Sequence, residues 1–499
     1  MRRSRLVLLV VVAFPSSAAA APVTVLGPHG VASVRNDPFV SGPAFTPAPA
    51  RAPSASRPGA PFATAAAAGI RHRSRTRSQR PRRAAPTVTS VLARLDRTHA
   101  ITAAAYRQYS AGFNAALAAE KHLRGTRRAE LEAVTETLHQ IAVAGTLTAS
   151  RLPVLFETLD RNREWWTTGP ELSSGERVEF AGSQLVWEYY PGQGIQLQVL
   201  GSFGKADGLY TAGPADYPAM EQLLSELIPL AARRAGGVTW EYYFRFDGGA
   251  PPWTSAMSQA TGLEALTRAY EATDNPYYLG VAAQALPVFS AKPPLGVSVK
   301  TALGVRYLQY TFAPRVAIIN AFLQTLIGLD DYARVSGSLK AAQLFAAGNA
   351  EAIAEVPHYD TGAWSLYQPG VEDDLSYHEL VTGFLEQLCT LTAAPVYCTT
   401  AQHFQGYLKT PPALAQLTLS GRVHRKITLR FRLSKYSRVG IVITLGTTTK
   451  FLTSAGFPYG IDHFTIPALK SAGTYGVRLA ATDLAGNFAA IAGTLRVSR

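Results

Sequence analysis

The spacing of hydrophobic and polar positions divides the chain into two folded parts. Between 87 and 409 apolar residues recur every three or four positions, as in VTETLHQI at 134–141, which predicts amphipathic helices. From 417 to 499 apolar and polar residues alternate, as in ITLRFRL at 427–433, which predicts β-strands. A helical domain is therefore expected to precede an all-β domain.

The predicted helices are paired and joined by short loops. This organisation favours an (α/α) toroid, or part of one, over 87–409, and a helical array without toroidal closure is the competing architecture. The strand pattern of 417–499 is typical of an immunoglobulin-like β-sandwich. The predicted fold class is thus multidomain: a toroid-like helical domain with a β-rich insertion, then a C-terminal all-β sandwich.

The β-rich insertion lies at 176–247, where aromatic and polar residues alternate between Gly and Pro breaks. Aromatic faces can pack on sugar rings, so these residues could line a carbohydrate groove, and they could equally be half-buried strand residues. Both interpretations stay open for Trp187, Tyr189, Tyr190, Trp240, Tyr242 and Tyr243.

The N-terminus has the three-part layout of a secretory signal. Three arginines precede an apolar run from Leu6 to Phe14, and small residues follow up to Ala20. The apolar run is too short to span a bilayer, and no second run is long enough, so no transmembrane segment is expected after signal removal. We interpret 1–20 as a signal peptide and 21–86, rich in Pro, Ala and Arg, as a disordered tether.

The net charge of +14 is unevenly distributed. Basic residues dominate 1–86 and 411–499, whereas 87–410 holds an excess of acidic residues. The arginine-rich tether or the basic sandwich is a candidate site for an anionic cell-wall polymer, which would place the secreted protein at the cell wall. Export and the absence of a recognisable nucleic-acid-binding module argue against a nucleic acid partner.

The two cysteines, Cys389 and Cys398, lie nine positions apart in LCTLTAAPVYC. In an exported chain an even pair at short spacing predicts a disulfide that ties the end of one helix to the start of the next. A zinc site would need more Cys or His nearby. We therefore predict no metal site and no cofactor.

Several stretches between 185 and 408 resemble one known family. In chain order they are WTSAMSQATGLEALTRAY, YLQYTFAPRVAIINAFLQTLIGLDDYA, LFAAGN, VPHYDTGAWSLY and SYHEL. Together they are similar to the catalytic domain of the D-glucuronyl C5-epimerases, which invert carbon 5 of glucuronic acid within a polysaccharide. The resemblance implies an isomerase acting on uronic acid residues of an acidic polysaccharide, with 87–409 as its epimerase-like domain.

The chemistry of that reaction sets requirements on the site. The hydrogen on carbon 5 lies next to a carboxylate, so its removal builds negative charge on an anionic group, which a cation or hydrogen-bond donor must offset. One residue takes the proton from one face and another returns a proton on the other. Because a free phenol has a pKa near 10, a tyrosine base is expected to have its pKa lowered by neighbouring cations or donors.

The resemblance implies three catalytic tyrosines and several substrate-binding residues. Tyr310, Tyr367 and Tyr377 match the tyrosines that flank the sugar in the family. The substrate-binding candidates are Asn320 in IIN, Asp360 in the YDTG turn, His378 in SYHEL, and two cations that could hold the carboxylate, Arg315 and Lys205. Core packing for Asn320, backbone capping for Asp360, orientation of Tyr377 by His378, and surface or ion-pair roles for the cations are the structural alternatives.

One departure from the family pattern bears on mechanism. The animal enzymes carry acidic residues just before the first catalytic tyrosine, whereas this chain has Leu308 and Gln309. A tyrosine would then have to be the base. Two other functions stay open: a polysaccharide lyase that uses the same proton abstraction, and a cell-surface polysaccharide-binding protein without catalysis.

Overall fold

The computed structural model describes residues 21–40 and 85–499. The predicted signal peptide and the tether residues 41–84 lie outside the described residues. The described helices are α1 (Val88–Arg97), α2 (Ala103–His122), α3 (Gly125–Val143), α4 (Leu152–Thr168), α5 (Val199–Ala212), α6 (Tyr217–Leu227), α7 (Ala256–Thr273), α8 (Pro276–Ala285), α9 (Ile319–Ser336), α10 (Leu339–Glu355), α11 (Leu375–Thr392) and α12 (Pro395–Tyr407).

Strands occur in three regions: near the N-terminus, between the helices and at the C-terminus. The first eleven are β1 (Ala21–Leu26), β2 (Ala32–Asp37), β3 (Arg177–Phe180), β4 (Trp187–Tyr190), β5 (Gly194–Leu197), β6 (Ala232–Arg234), β7 (Gly237–Thr239), β8 (Ser298–Lys300), β9 (Val305–Tyr307), β10 (Leu366–Gln368) and β11 (Val371–Glu372). The C-terminal eight are β12 (Leu414–Gln416), β13 (Ser420–Arg422), β14 (Ile427–Leu433), β15 (Ser437–Leu445), β16 (Thr448–Phe457), β17 (Gly460–Ile466), β18 (Gly473–Asp483) and β19 (Phe488–Ser498).

The central helices form two rows. Helix α7 packs against α5 and α9, and α9 also packs against α11, so these four form an inner row. Each is paired with the helix that follows it, which gives an outer row of α6, α8, α10 and α12. The inner helices α7 and α9 are buried on nearly every side through their first three turns, because they contact neighbours all round. This double row is the arrangement expected of part of an (α/α) toroid.

The prediction of a tether that begins at residue 21 is wrong for 21–40. Strands β1 and β2 pair with each other, and β1 also runs parallel to β3 in a five-stranded sheet of order β2-β1-β3-β4-β5. Val23 and Leu26 are buried in this sheet. Arg35 pairs with Glu179, which ties the segment to the inserted β-region.

The aromatic residues of the insertion belong to the core rather than to a groove. Trp187, Trp240 and Tyr242 are buried, as are Tyr189 and Tyr243. Tyr190 is partly buried, and its ring stacks on Phe244 with centroids 4.4 Å apart. Of the two interpretations left open by the sequence, the strand and core interpretation is the one observed.

The C-terminal region consists of β-strands, as predicted. It contains a three-stranded sheet of order β12-β14-β17 and a five-stranded sheet of order β13-β19-β18-β15-β16. In β14 every second side chain from Ile427 to Leu433 is buried, and these side chains join one hydrophobic core with residues of β15 and β18. Its assignment to the immunoglobulin-like type stays a prediction.

The predicted disulfide is present. Cys389 and Cys398 are bonded, and they connect the last turn of α11 to the first turn of α12. Among the described residues, none of the helices is both long and apolar enough to cross a membrane.

Replacing both cysteines by serine is expected to destabilise the helical domain by roughly 2 to 3 kcal/mol, because the crosslink closes a short loop in the unfolded chain. The measurement is urea unfolding followed by circular dichroism, with and without reductant. Reductant should destabilise the wild type to about the level of the Cys389→Ser/Cys398→Ser variant and leave the variant unchanged. Equal stability of the oxidised and reduced wild type would contradict the prediction.

Candidate active site

Three elements bring the three predicted tyrosines together. Tyr310 follows β9, Tyr367 lies in β10, and Tyr377 lies in the first turn of α11. The rings of Tyr367 and Tyr377 have centroids 5.0 Å apart and planes inclined by 54°. A hydrogen bond joins the hydroxyls of Tyr310 and Tyr367. The phenols therefore form one contiguous group, although they are up to 67 positions apart in sequence.

A hairpin and a helix cap place two of these tyrosines side by side. Strands β10 and β11 pair through a turn in which Gly370 has φ +81°, a conformation that favours glycine. We call Leu366–Glu372 the tyrosine hairpin. Asp374 then caps α11 by accepting a hydrogen bond from the Tyr377 backbone N–H at 2.9 Å. The cap starts the helix so that Tyr377 folds back toward Tyr367.

Aromatic side chains enclose Tyr310. Its ring stacks on Phe312 with centroids 5.2 Å apart and contacts Trp253 and Phe246 at 5.7 and 5.6 Å. Gly249 lies against the same wall, where a β-carbon would come within 2.4 Å of the Phe312 ring. This wall removes Tyr310 from water.

The surroundings of the phenols are acidic rather than basic. Burial raises the pKa of Tyr310 and of Tyr367 above the usual value for tyrosine. Tyr367 and Tyr377 raise the pKa of Tyr310 further, whereas for Tyr367 the effect of Tyr377 is opposed by the hydrogen bond with Tyr310, which lowers its pKa. Asp247 also raises the pKa of Tyr310, and Asp373 and Asp374 raise that of Tyr367. The expectation that cations lower these pKa values is wrong for the protein alone. Both phenols are therefore neutral proton donors at neutral pH.

His378 lies behind the tyrosines and is inaccessible to substrate. Its side chain is buried, and its ring stacks on Trp364 with centroids 3.8 Å apart. Its Nε2 lies 3.0 Å from the Phe404 carbonyl oxygen and its Nδ1 lies 2.7 Å from Ser365 Oγ. The prediction that His378 binds substrate is therefore wrong, and its contacts fit the alternative of a residue that fixes the start of α11.

The hydrogen bonds around His378 fix its protonation. A carbonyl oxygen only accepts, so Nε2 carries the proton and Nδ1 of the neutral ring accepts from Ser365. Ser365 Oγ is also hydrogen-bonded to the Asp373 carboxyl, and its single proton can serve only one of these two bonds at a time. The pKa values agree with this chain: burial lowers that of His378 to about 4 and raises that of Asp373 to about 7.

Asp360 is directed away from the tyrosines. One carboxylate oxygen accepts hydrogen bonds from the Gly362 N–H and the Tyr407 hydroxyl, both at 2.8 Å, and the other lies 2.8 Å from His403 Nδ1. These contacts fit the alternative in which Asp360 caps the YDTG turn, and its role in substrate binding stays a prediction.

Lys205 is also removed from the site. Its ammonium is buried and lies 2.7 Å from Glu179 and 3.2 Å from Asp37, so two carboxylates already neutralise it. The prediction that Lys205 holds a substrate carboxylate is wrong for that reason. Two other cations of the helical domain are engaged as well: Arg306 pairs with Glu355, and Arg245 bonds Gln140.

Arg315 and Asn320 remain as candidates for the carboxylate. Arg315 is exposed on the loop between Tyr310 and α9, and within the described residues it makes no ion pair or hydrogen bond. Asn320 lies in the first turn of α9, which packs against β10. It is buried, and its Oδ1 has no hydrogen-bond partner among the described residues. Their roles stay predictions.

Comparisons with known proteins match the part of the chain that holds the three tyrosines. Residues 235–406 match the family model described as D-glucuronyl C5-epimerase C-terminus. This segment, about a third of the chain, is thus similar to the D-glucuronyl C5-epimerases. The match includes Tyr310, Tyr367 and Tyr377 and excludes Lys205 and the C-terminal β-domain.

Two curated relatives and one solved structure illustrate the reach of the similarity. A D-glucuronyl C5-epimerase of Caenorhabditis elegans is 29% identical over 178 residues, which is 32% of this chain and 29% of the relative. An uncharacterized protein of Methanocaldococcus jannaschii is 28% identical over 137 residues, 26% of this chain and 44% of the relative. The chain thus spans less than half the length of each. The solved structure is the cellobiose 2-epimerase of Bacillus thermoamylovorans, which is 13% identical in sequence and superposes with a TM-score of 0.34. The superposition covers 57% of this chain and 75% of the cellobiose 2-epimerase chain.

The departure from the D-glucuronyl C5-epimerase pattern is also visible in the structure. Leu308 is buried, and its backbone pairs with Val297 and Ala256. The Gln309 side chain accepts a hydrogen bond from Ser255 at 3.0 Å. Neither side chain can act as a base. The carboxylates that raise the pKa of Tyr367, which are Asp373 and Asp374, were not identified from the sequence. Their adjacent positions in QPGVEDDLS, between Tyr367 and Tyr377, are the signal that could have identified them.

The C-terminal β-domain contacts the tyrosine hairpin directly. The Glu372 carboxylate of β11 accepts hydrogen bonds from the backbone N–H groups of Tyr436 and Tyr459, both at 2.9 Å. Lys435 pairs with Asp483 at 2.6 Å and lies 5.1 Å from the centroid of the Trp364 ring that covers His378. The domain outside the family match therefore helps to fix the site inside it.

No group of three or more His, Cys, Asp and Glu side chains within 21–40 and 85–499 is arranged to hold a metal ion.

Asp373→Asn is expected to remove a pH dependence of stability. Burial raises the pKa of Asp373 from 3.8 to about 7, so the folded protein holds this proton more tightly than the unfolded chain does. Its contribution is complete below about pH 4 and is lost as the pH rises to 7, which amounts to at most on the order of 4 kcal/mol. Asparagine mimics the protonated acid, because its amide can donate to Ser365.

The measurement is the thermal midpoint from pH 4 to pH 8 for wild type, Asp373→Asn and the control Asp160→Asn, which removes the same charge from a half-exposed position. The midpoint of Asp373→Asn should fall less with pH than those of the other two. If the thermal midpoints of all three proteins changed with pH in parallel, the claim that Asp373 is protonated in the folded protein would be contradicted.

Proposed function

We propose that this protein is a uronyl C5-epimerase that inverts carbon 5 of uronic acid residues in an acidic polysaccharide. The observation that carries the proposal is the meeting of two buried phenols, Tyr310 and Tyr367, with the partly buried Tyr377, inside the segment that matches the D-glucuronyl C5-epimerase family. Proton abstraction and return at a carbon centre need two proton-transfer groups within reach of one atom. The tyrosine group supplies them.

Each tyrosine receives a role from its contacts. The hydrogen bond between Tyr310 and Tyr367 lowers the pKa of Tyr367 and raises that of Tyr310, which favours negative charge on Tyr367 over Tyr310. Tyr367 is thus the base when ionised, and Tyr310 stabilises its phenolate. Tyr377 returns a proton to the opposite face. The phenol oxygens of Tyr367 and Tyr377 have to lie on opposite faces of carbon 5, about 6 Å apart, because each must be about 3 Å from that carbon. The ring centroids of the two tyrosines are 5.0 Å apart, which allows this separation of the oxygens.

A cation beside the bound uronate has to supply part of the electrostatics. Burial and the nearby carboxylates keep Tyr367 neutral in the protein alone, and the uronate adds a further negative charge, so a positive charge has to lie beside it. Arg315 is exposed near Tyr310 and is assigned to the substrate carboxylate, with Asn320 as a second donor. Neutralising that carboxylate also acidifies the hydrogen on carbon 5, which lowers the barrier to its removal.

Location and domain type are part of the same proposal. The protein is exported, as the signal-like sequence at 1–20 indicates, and a disulfide between Cys389 and Cys398 fits an oxidising compartment. The two-sheet C-terminal domain is of the immunoglobulin-like type. An anionic cell-wall polymer is a further candidate ligand of this basic domain.

The test is deuterium incorporation from heavy water at carbon 5 of glucuronic and iduronic polysaccharides, followed by NMR. We expect incorporation with the wild type and a loss of roughly a hundredfold or more for Tyr367→Phe or Tyr377→Phe, because each removes a proton-transfer group. Tyr277→Phe is the matched control, since Tyr277 is 55% exposed on α8. Its rate should equal that of the wild type.

Full exchange in Tyr310→Phe, Tyr367→Phe and Tyr377→Phe alike would overturn the tyrosine mechanism. The same samples also separate the lyase alternative, because elimination of the oxygen on carbon 4 leaves an unsaturated sugar that absorbs in the ultraviolet. Rising absorbance without carbon 5 inversion would assign elimination instead of epimerisation.

A further inference from the structure

One face of the C-terminal β-domain carries an exposed row of cations. In β14 the side chains of Thr428, Arg430 and Arg432 point to solvent between buried neighbours. The register pairs Arg430 with His463 and Arg432 with Ile461, and directly opposed residues share a face of an antiparallel sheet. His463 is also exposed. We call this outer face of the β12-β14-β17 sheet the arginine face.

The charges of the arginine face are not used inside the protein. Within the described residues neither Arg430 nor Arg432 forms an ion pair or a side-chain hydrogen bond. The region 411–499 holds twelve Lys and Arg residues and only two acids, Asp462 and Asp483. Asp483 is already paired with Lys435. The two guanidinium groups, about 7 Å apart along the strand, are therefore available to an external anion.

The arginine face leads to the tyrosine hairpin. Strand β14 ends at Leu433, and the chain continues to Tyr436, whose backbone N–H bonds Glu372. Tyr459, just before β17, bonds the same carboxylate. Both tyrosines are 38% exposed. The Tyr436 hydroxyl lies against Gly456 of the five-stranded sheet, so Tyr459 is the aromatic residue between the cations and the hairpin that carries Tyr367. Charge and aromatic contact along one line suit a long sugar chain with carboxylates.

We propose that the arginine face binds the acidic polysaccharide chain next to the tyrosine site, with Arg430 and Arg432 on uronate carboxylates and Tyr459 against a sugar ring. The identity of the polymer rests on the proposed function. The chemistry of the face requires only a flexible polyanion with sugar rings. The epimerase-like segment itself has an acidic excess, so this basic face concentrates an anionic substrate beside a domain that would otherwise repel it.

The experiment measures binding of the full chain to hyaluronan, a polymer of alternating glucuronic acid and N-acetylglucosamine, with dextran as the neutral comparison. The test variant is Arg430→Ala/Arg432→Ala. The matched control is Arg478→Ala/Arg496→Ala, which removes the same charge from exposed positions on the five-stranded sheet. Binding is measured at low and at physiological ionic strength.

We expect the test variant to bind hyaluronan about tenfold more weakly, equivalent to roughly 1.4 kcal/mol, and to lose part of the salt dependence. The control variant should bind as the wild type does, and dextran should bind none of them. Equal weakening of both variants would assign the effect to net charge and overturn a defined face. Unchanged binding by the test variant would overturn it as well.

The outcomes keep this inference separate from the proposed function. Binding that depends on Arg430 and Arg432, combined with no carbon 5 exchange in any uronic acid polymer, would keep the arginine face and remove the epimerase. Carbon 5 exchange by the wild type, combined with hyaluronan binding that does not change when Arg430 and Arg432 are replaced, would keep the epimerase and remove the arginine face. Equal binding of DNA and hyaluronan would replace a sugar-specific face by a general polyanion surface and overturn the role of Tyr459.

Discussion

The site depends on the packing of three phenols against one another, two of them buried, with acidic side chains rather than cations beside them. A buried hydroxyl must find a partner, and here Tyr310 finds it in Tyr367. That hydrogen bond joins the loop before α9 to the tyrosine hairpin, and the contact of Tyr367 with Tyr377 joins the hairpin to α11. The inner helices α9 and α11 pack directly on each other, so a rigid frame holds the group.

A second group of contacts holds this frame from behind. Asp373, Ser365 and His378 form a buried hydrogen-bonded chain that ends at the Phe404 carbonyl on α12. Trp364 covers His378, and Lys435 of the β-domain lies over Trp364. The β-domain is thus more than an appended module, because its contacts reach the residues that position Tyr377. The arginine face lies on the solvent side of the same domain.

Much of this could be predicted from local sequence, because the governing interactions are local. Helical periodicity identified the paired helices, short cysteine spacing identified the disulfide, and the YDTG and YH motifs identified the tyrosines. The errors involved partners far away in sequence. Lys205 is neutralised by Asp37 and Glu179, and Asp37 lies on a strand that composition had assigned to a tether. No local pattern could reveal that His378 is buried between Trp364 and Phe404, or that Glu372 anchors a domain.

The central claim is that Tyr310 and Tyr367 are hydrogen-bonded, neutral phenols in the protein without substrate. NMR of the protein labelled with carbon-13 at the tyrosine ζ position, assigned with single Tyr→Phe variants and titrated upward from neutral pH, measures this most directly. The account predicts that both resonances keep the chemical shift of a neutral phenol beyond pH 10, the usual tyrosine value, and that Tyr310→Phe perturbs Tyr367. A phenolate signal from either residue near pH 7 or 8 would contradict it.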